Sequence, residues 1–131
     1  MNEPLEVDQV DYFETIHGKL QAAYDEIQKL SQKDPNGSLN AFKLKIINSV
    51  VAACNSFLGS ENEPMAGFSE FESEQLPSNS DVLFVLGQYL SGLEKFRASH
   101  ITNDLQGWYW VVNSENPRRY RTAPPKKLSS K

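Results

Sequence analysis

Between Asp8 and Ser31 the apolar residues Val10, Phe13, Ile16, Leu20, Ala23, Ile27 and Leu30 recur at steps of three and four. That spacing lays a single apolar stripe along an α-helix. Asp8 is placed to cap the helix, and Asp11 and Glu14 suit the positive end of its dipole. Gly18, in mid-helix, costs up to about 1 kcal/mol relative to Ala and reads equally as a close helix contact or as a tolerated substitution. Asp34-Pro35-Asn36-Gly37 then interrupts the pattern, because proline fixes φ and Asn-Gly accepts positive φ. A second run, Leu39, Phe42, Ile46, Ile47, Val50, Val51, Cys54, Phe57 and Leu58, predicts a helix over 39–58. Ser38 would cap it, and Gly59 fits the position where a left-handed residue ends a helix. Its stripe is wider than the first, which assigns this helix the central place.

Residues 60–80 change texture. They hold Glu61, Glu63, Glu70, Glu72 and Glu74, no basic residue, and Pro64 and Pro77. This reads as an acidic linker, with Met65, Phe68, Phe71 and Leu76 spaced to pin it across the core. A third helix starts at Asn79 or Ser80 and covers about Asp81 to Ala98. Val82 to Leu86 make its start apolar nearly all round, while Glu94, Lys95 and Arg97 mark a wetter end. His100 to Gln106 reads as a connector or a short helical turn. Trp108-Tyr109-Trp110-Val111-Val112 is aromatic and β-branched, which favours a strand over 108–112. Asn113 to Pro117 is a turn cluster, and Arg118 to Thr122 reads as the return strand of a hairpin with a five-residue loop. Ala123-Pro124-Pro125 breaks regular structure and leaves Lys126 to Lys131 as a loose end.

The expected fold is therefore mainly α: a small three-helix bundle, with a four-helix variant as the alternative. A C-terminal β-hairpin or extended aromatic and basic arm closes one end. At 131 residues, 39% hydrophobic and 23% charged, the chain has the length and composition of one globular domain. Its only cysteine, Cys54, cannot close an intramolecular disulfide, and at mid-stripe it reads as core. The acidic N-terminal stretch lacks the basic and apolar regions of a secretory signal, and the apolar stretches Ile46 to Cys54 and Val82 to Leu86 are short of the roughly 20 residues that span a bilayer. These features point to a cytoplasmic protein with no membrane contact.

Charge changes the picture more. From Pro117 onward the charged residues are Arg118, Arg119, Arg121, Lys126, Lys127 and Lys131, so this stretch carries +6. The remaining 7 basic and 17 acidic residues give 1–116 a charge of −10. The chain thus divides into an acidic helical domain, 1–116, and a basic arm, 117–131.

Catalytic chemistry is sparse. Glu14-x-x-His17 has the spacing of half a di-iron site, but a second copy is missing, since Arg97 stands three residues before His100. His100 and Asp104 are four apart with no nucleophile in view. The chain has no glycine-rich phosphate loop, Gly-x-Ser-x-Gly, His-Glu-x-x-His or Cys-x-x-Cys. No metal, cofactor or catalytic residue is expected. The residues built for contact are Trp108, Tyr109, Trp110, Arg118, Arg119, Tyr120 and Arg121, with Phe68 and Phe71 in the linker. Alternating aromatic and acidic groups suit a basic, apolar groove on a partner. The expectation is a non-catalytic interaction or regulatory protein that binds a protein partner through its linker and arm. The alternative is single-stranded nucleic acid, whose bases stack on aromatics and whose phosphates attract arginine. The bland role for the same residues is that Trp108, Trp110 and Val112 seal the open end of the bundle while the arginines lie over the acidic body. A homodimer is compatible with either binding role, and a small enzyme around His17 or His100 ranks last.

Overall fold

The computed structural model of the chain describes residues 3–126. Lys127 and Lys131, counted above in the basic arm, lie outside them. The fold is mainly helical, with helices α1 (Val7–Lys33), α2 (Ala41–Leu58) and α3 (Asn79–Ala98). A small antiparallel sheet follows, made of β1 (Ile101–Asp104), β2 (Gly107–Trp110) and β3 (Arg121–Thr122) in the order β1-β2-β3.

Each helix starts slightly away from its expected cap. The cap of α1 is Glu6, not Asp8, because Glu6 N–H donates to the Gln9 side chain at 2.9 Å. The cap of α2 is Asn40, whose Oδ1 accepts Lys43 N–H at 2.8 Å. Ser38 is drawn into a backbone bridge with Ser78, so the chain stays extended for two more residues. Ser78 caps α3 by accepting Asp81 N–H at 3.1 Å.

The core gathers Phe13, Ile16, Leu20 and Ile27 of α1, Ile47, Val51 and Cys54 of α2, and Val82, Leu86, Tyr89 and Leu93 of α3. The most extensive helix pairing joins α1 to α3, so α2 is not the central helix. Two members of its wide stripe, Phe42 and Ile46, remain 73% and 48% exposed. By length and composition α2 is apolar enough to cross a bilayer, with a mean hydropathy of 1.2 over 18 residues, although the core helix of a globular fold passes the same test. Gly18 makes no close contact; a Cβ there would meet nothing within 4 Å. The close approach is at Gly92 of α3, where a Cβ would lie 2.7 Å from Pro64 Cγ.

The acidic linker is tied down along its length. Asn48 of α2 donates to Phe71 O at 2.9 Å and accepts Phe71 N–H at 2.8 Å. One turn pair further on, Asn55 donates to Phe68 O at 3.3 Å and accepts the Tyr89 hydroxyl at 2.9 Å. Phe71 is buried and Phe68 packs edge-on against it, 5.0 Å between centroids. Leu76 departs from the expectation: it is 66% exposed and stands in the left-handed region at φ 49°.

The segment read as a connector, His100 to Gln106, contains β1. It pairs with β2 from Ile101↔Trp110 to Asp104↔Gly107, so the hairpin precedes the aromatic strand. The cause is local: Asp104 Oδ1 accepts Gln106 N–H at 2.8 Å, and Gly107 supplies φ 143°. The expected return strand over 118–122 shrinks to Arg121–Thr122, because Pro117–Arg119 winds into a 3-10 turn. The strand expected over 108–112 ends at Trp110. Val111 O instead accepts Leu5 N–H at 3.0 Å, and Val112 bridges Leu5, which is buried.

Candidate functional site

The sheet has two faces, and alternation along β2 sends its aromatics to both. Trp110 goes inward. It is 1% exposed, meets Phe13 edge-on at 5.0 Å, and its Nε1–H donates to Glu14 Oε2 at 3.1 Å. Trp108 is half-buried, and Tyr120 packs half-buried against the core. Tyr109 takes the opposite face, directly across from Arg121. The Arg121 guanidinium lies 5.4 Å from its ring centroid and that of Arg118 5.7 Å. These are cation–π distances. Arg118 also pairs with Asp104 at 2.6 Å, and Arg121 donates to Gln106 O at 2.9 Å. Gly107 makes room for that reach, since a Cβ there would stand 2.9 Å from Arg121 Nη2. Arg118, Arg119 and Arg121 are all exposed. The arm residues named from sequence are therefore brought together, but on two sides of one sheet. Phe68 and Phe71 sit apart from them, turned into the core under the acidic linker.

A second cluster was not legible as such. Glu94 and Arg97, read as the wet end of α3, are 4% and 5% exposed. Arg97 Nε donates to Glu94 Oε1 at 3.3 Å, and Nη2 contacts Glu94 Oε2. The rest of the guanidinium holds residues 122–124: Nη1 donates to Thr122 Oγ1 at 2.7 Å and to Ala123 O at 2.6 Å, and Nη2 to Pro124 O at 3.0 Å. Every N–H of the fork is engaged. Lys126 N–H completes the clasp on Glu94 Oε2 at 3.2 Å. Pro124 and Pro125 lack the N–H a strand ladder needs, so carbonyls of this segment find side-chain donors instead. The proline pair signals in sequence a segment that leaves the ladder, but not that Glu94 and Arg97 receive it.

Beneath the clasp lies a cavity of about 250 Å³, lined by Phe13, Glu14, His17, Glu94, Arg97 and the segment itself. Burial lowers the pKa of His17 from 6.5; Lys126 and Arg97 act in the same direction, while Glu94 and Glu14 oppose them. Glu14 and His17 do not assemble a metal set, and no group of three His, Cys, Asp or Glu side chains suited to a metal occurs among the described residues. His100 and Asp104 do not pair: His100 Nδ1 lies 2.8 Å from Phe96 O, and Asp104 is taken by Arg118. Burial pushes the Cys54 thiol up to about 12, so it is protonated and inert at neutral pH. No protein-family model matches the chain, and neither a curated protein nor a solved structure matches it.

Proposed function

We propose that this chain is a non-catalytic interaction protein that binds an acidic stretch of a protein partner on the outer face of its sheet. The single observation that carries this reading is the placement of Arg118 and Arg121 about Tyr109, with both side chains exposed. A ring that both guanidinium groups approach restricts their side chains, so less freedom is lost when they meet carboxylates. The body behind this face carries the excess of acidic residues, which disfavours a polyanion as long as a nucleic acid. Base stacking would need free aromatic faces. Trp110 is committed to the core and Tyr109 to the arginines. The helices act as the bundle-like platform that presents the face. The linker adds its exposed carboxylates rather than its aromatic anchors.

Fluorescence anisotropy with a labelled oligoglutamate peptide and with labelled single-stranded RNA tests this at two salt concentrations. Salt-sensitive peptide binding that is lost in Arg118→Ala/Arg121→Ala is the expected result. Tighter RNA binding that depends on Trp108 would overturn it in favour of the nucleic-acid function, and no binding of either probe would overturn it outright.

A further inference from the structure

Residues 122–126 are held unlike the rest of the chain. Thr122 still pairs with Trp108 of β2; beyond it they form no sheet, and the side chains that hold this strip are those of one buried ion pair. Three of the guanidinium's hydrogen bonds and one carboxylate oxygen close on this one strip of backbone. If the strip lifts, those Arg97 donors and that Glu94 oxygen meet water together, so the segment docks or leaves as a unit. The cavity beneath it holds one imidazole, His17, stacked on Phe13 with ring centroids 5.7 Å apart.

We propose that residues 122–126 form a latch, clasped by Arg97 and Glu94, that is released when His17 takes up a proton. The charged groups facing His17 are Glu14 on its own helix, Glu94 and Arg97 on α3, and Lys126 on the latch. With both carboxylates ionised, these four groups sum to zero. A proton on the half-buried imidazole leaves this cluster with an unbalanced positive charge. Undocking relieves it in two ways, by withdrawing Lys126 and by exposing the half-buried ring further to water.

The sign follows from linkage. Burial, and then Lys126, lower the histidine's proton affinity in the docked chain, so their support for docking is full above pH 6.5 and weakens as pH falls below that value. Latch release would disturb β3, which carries Arg121 of the proposed binding face. The latch itself stands independently of what that face binds.

The test is NMR of the full-length, ¹⁵N-labelled chain between pH 8 and pH 5. The readouts are the Lys126 amide, which donates to Glu94, and the Trp110 indole N–H, with far-UV circular dichroism in parallel. The expected result is a transition below pH 6.5 in the Lys126 and Ala123 amides, with helical signal retained and with loss of the transition in His17→Gln. The same transition in His17→Gln overturns the assignment of the trigger. Lys126 and Ala123 signals that do not move above pH 5 overturn the latch. So does loss of helix in step with them, which would make the event unfolding of the whole domain. Binding of oligoglutamate at constant pH is measured separately, so failure of the latch and failure of the binding face give different results.

Discussion

Arg97→Ala is the most informative single change. It removes a guanidinium that is 5% exposed and leaves Glu94, 4% exposed, without its cation. Breaking a buried pair by deleting one partner typically costs about 3–5 kcal/mol, because the surviving charge stays desolvated. Here the latch also loses its holdings on Thr122, Ala123 and Pro124, so it can lift and admit water to Glu94. That relief places the expected loss near the lower end, about 3 kcal/mol. For a chain of this size it corresponds to a fall in Tm of about 10 °C. It is a large share of a total stability of roughly 5–15 kcal/mol. Removing both partners leaves no orphaned charge. The double variant Glu94→Ala/Arg97→Ala is therefore expected to lose less than the two single changes added together, with a coupling of about 1–3 kcal/mol. Urea unfolding followed by circular dichroism measures all three variants. The reasoning fails if Arg97→Ala stays within about 0.5 kcal/mol of the parent, or if the double variant is additive.

Three further outcomes are expected. Cys54 in the folded chain should resist a thiol reagent at pH 8 and react at once in urea; fast labelling of the native protein would contradict its burial. Because its folded-state pKa of about 12 exceeds the ordinary 9.0, its contribution to stability is complete below pH 9 and declines as pH rises, by up to about 1.4 kcal/mol per unit, which urea midpoints at pH 8 and pH 10.5 would show. Gly18→Ala should stabilise by about 0.5–1 kcal/mol, since helix propensity improves into open space, whereas Gly92→Ala should destabilise by driving a methyl into Pro64; equal thermal shifts for the two would refute the packing argument. Asn48→Ala should cost about 1–3 kcal/mol by leaving the buried Phe71 backbone N–H and C=O unpaired, and it should raise amide exchange across residues 68–75; unchanged exchange there would show that the linker is held by its aromatics alone.

The three helices were legible because an amphipathic period is a local signal, clearest in α1, where Phe13, Ile16, Leu20 and Ile27 lie inside as their spacing requires. What failed depended on partners distant in the chain. Ser38 is a good capping residue by type, but Ser78, forty residues on, claims its backbone. β1 was invisible because Ile101-Thr102-Asn103-Asp104 carries no apolar alternation; its order comes from pairing with β2. Glu94 and Arg97 look like solvated charges on any helical wheel. Only the arrival of residues 122–126 buries them, and no local pattern encodes that arrival. The candidate face was half legible: the arginines and aromatics were visible as a cluster, but whether the rings stack on guanidinium groups or stay free depends on the Pro117–Arg119 turn.

The turn between α1 and α2 has one more consequence, for the order in which the chain assembles. Gly37 O accepts Asn79 N–H at 2.7 Å, Pro35 O accepts Ser80 N–H at 3.0 Å, and Asp34 O accepts the Asn79 side-chain amide at 2.9 Å. Two of the first free N–H groups of α3 are thus satisfied by a turn some forty-five residues earlier. A nascent α3 therefore frays at its start until the α1–α2 hairpin presents those carbonyls. The hairpin is closed by contacts nearer in sequence, and the expected order is that it forms first. It then works as a template that sets where α3 begins, and with it the register of every side chain α3 delivers to the core. Changes in Asp34-Pro35-Asn36-Gly37 should accordingly slow folding rather than merely speed unfolding, although the turn lies outside the main apolar core.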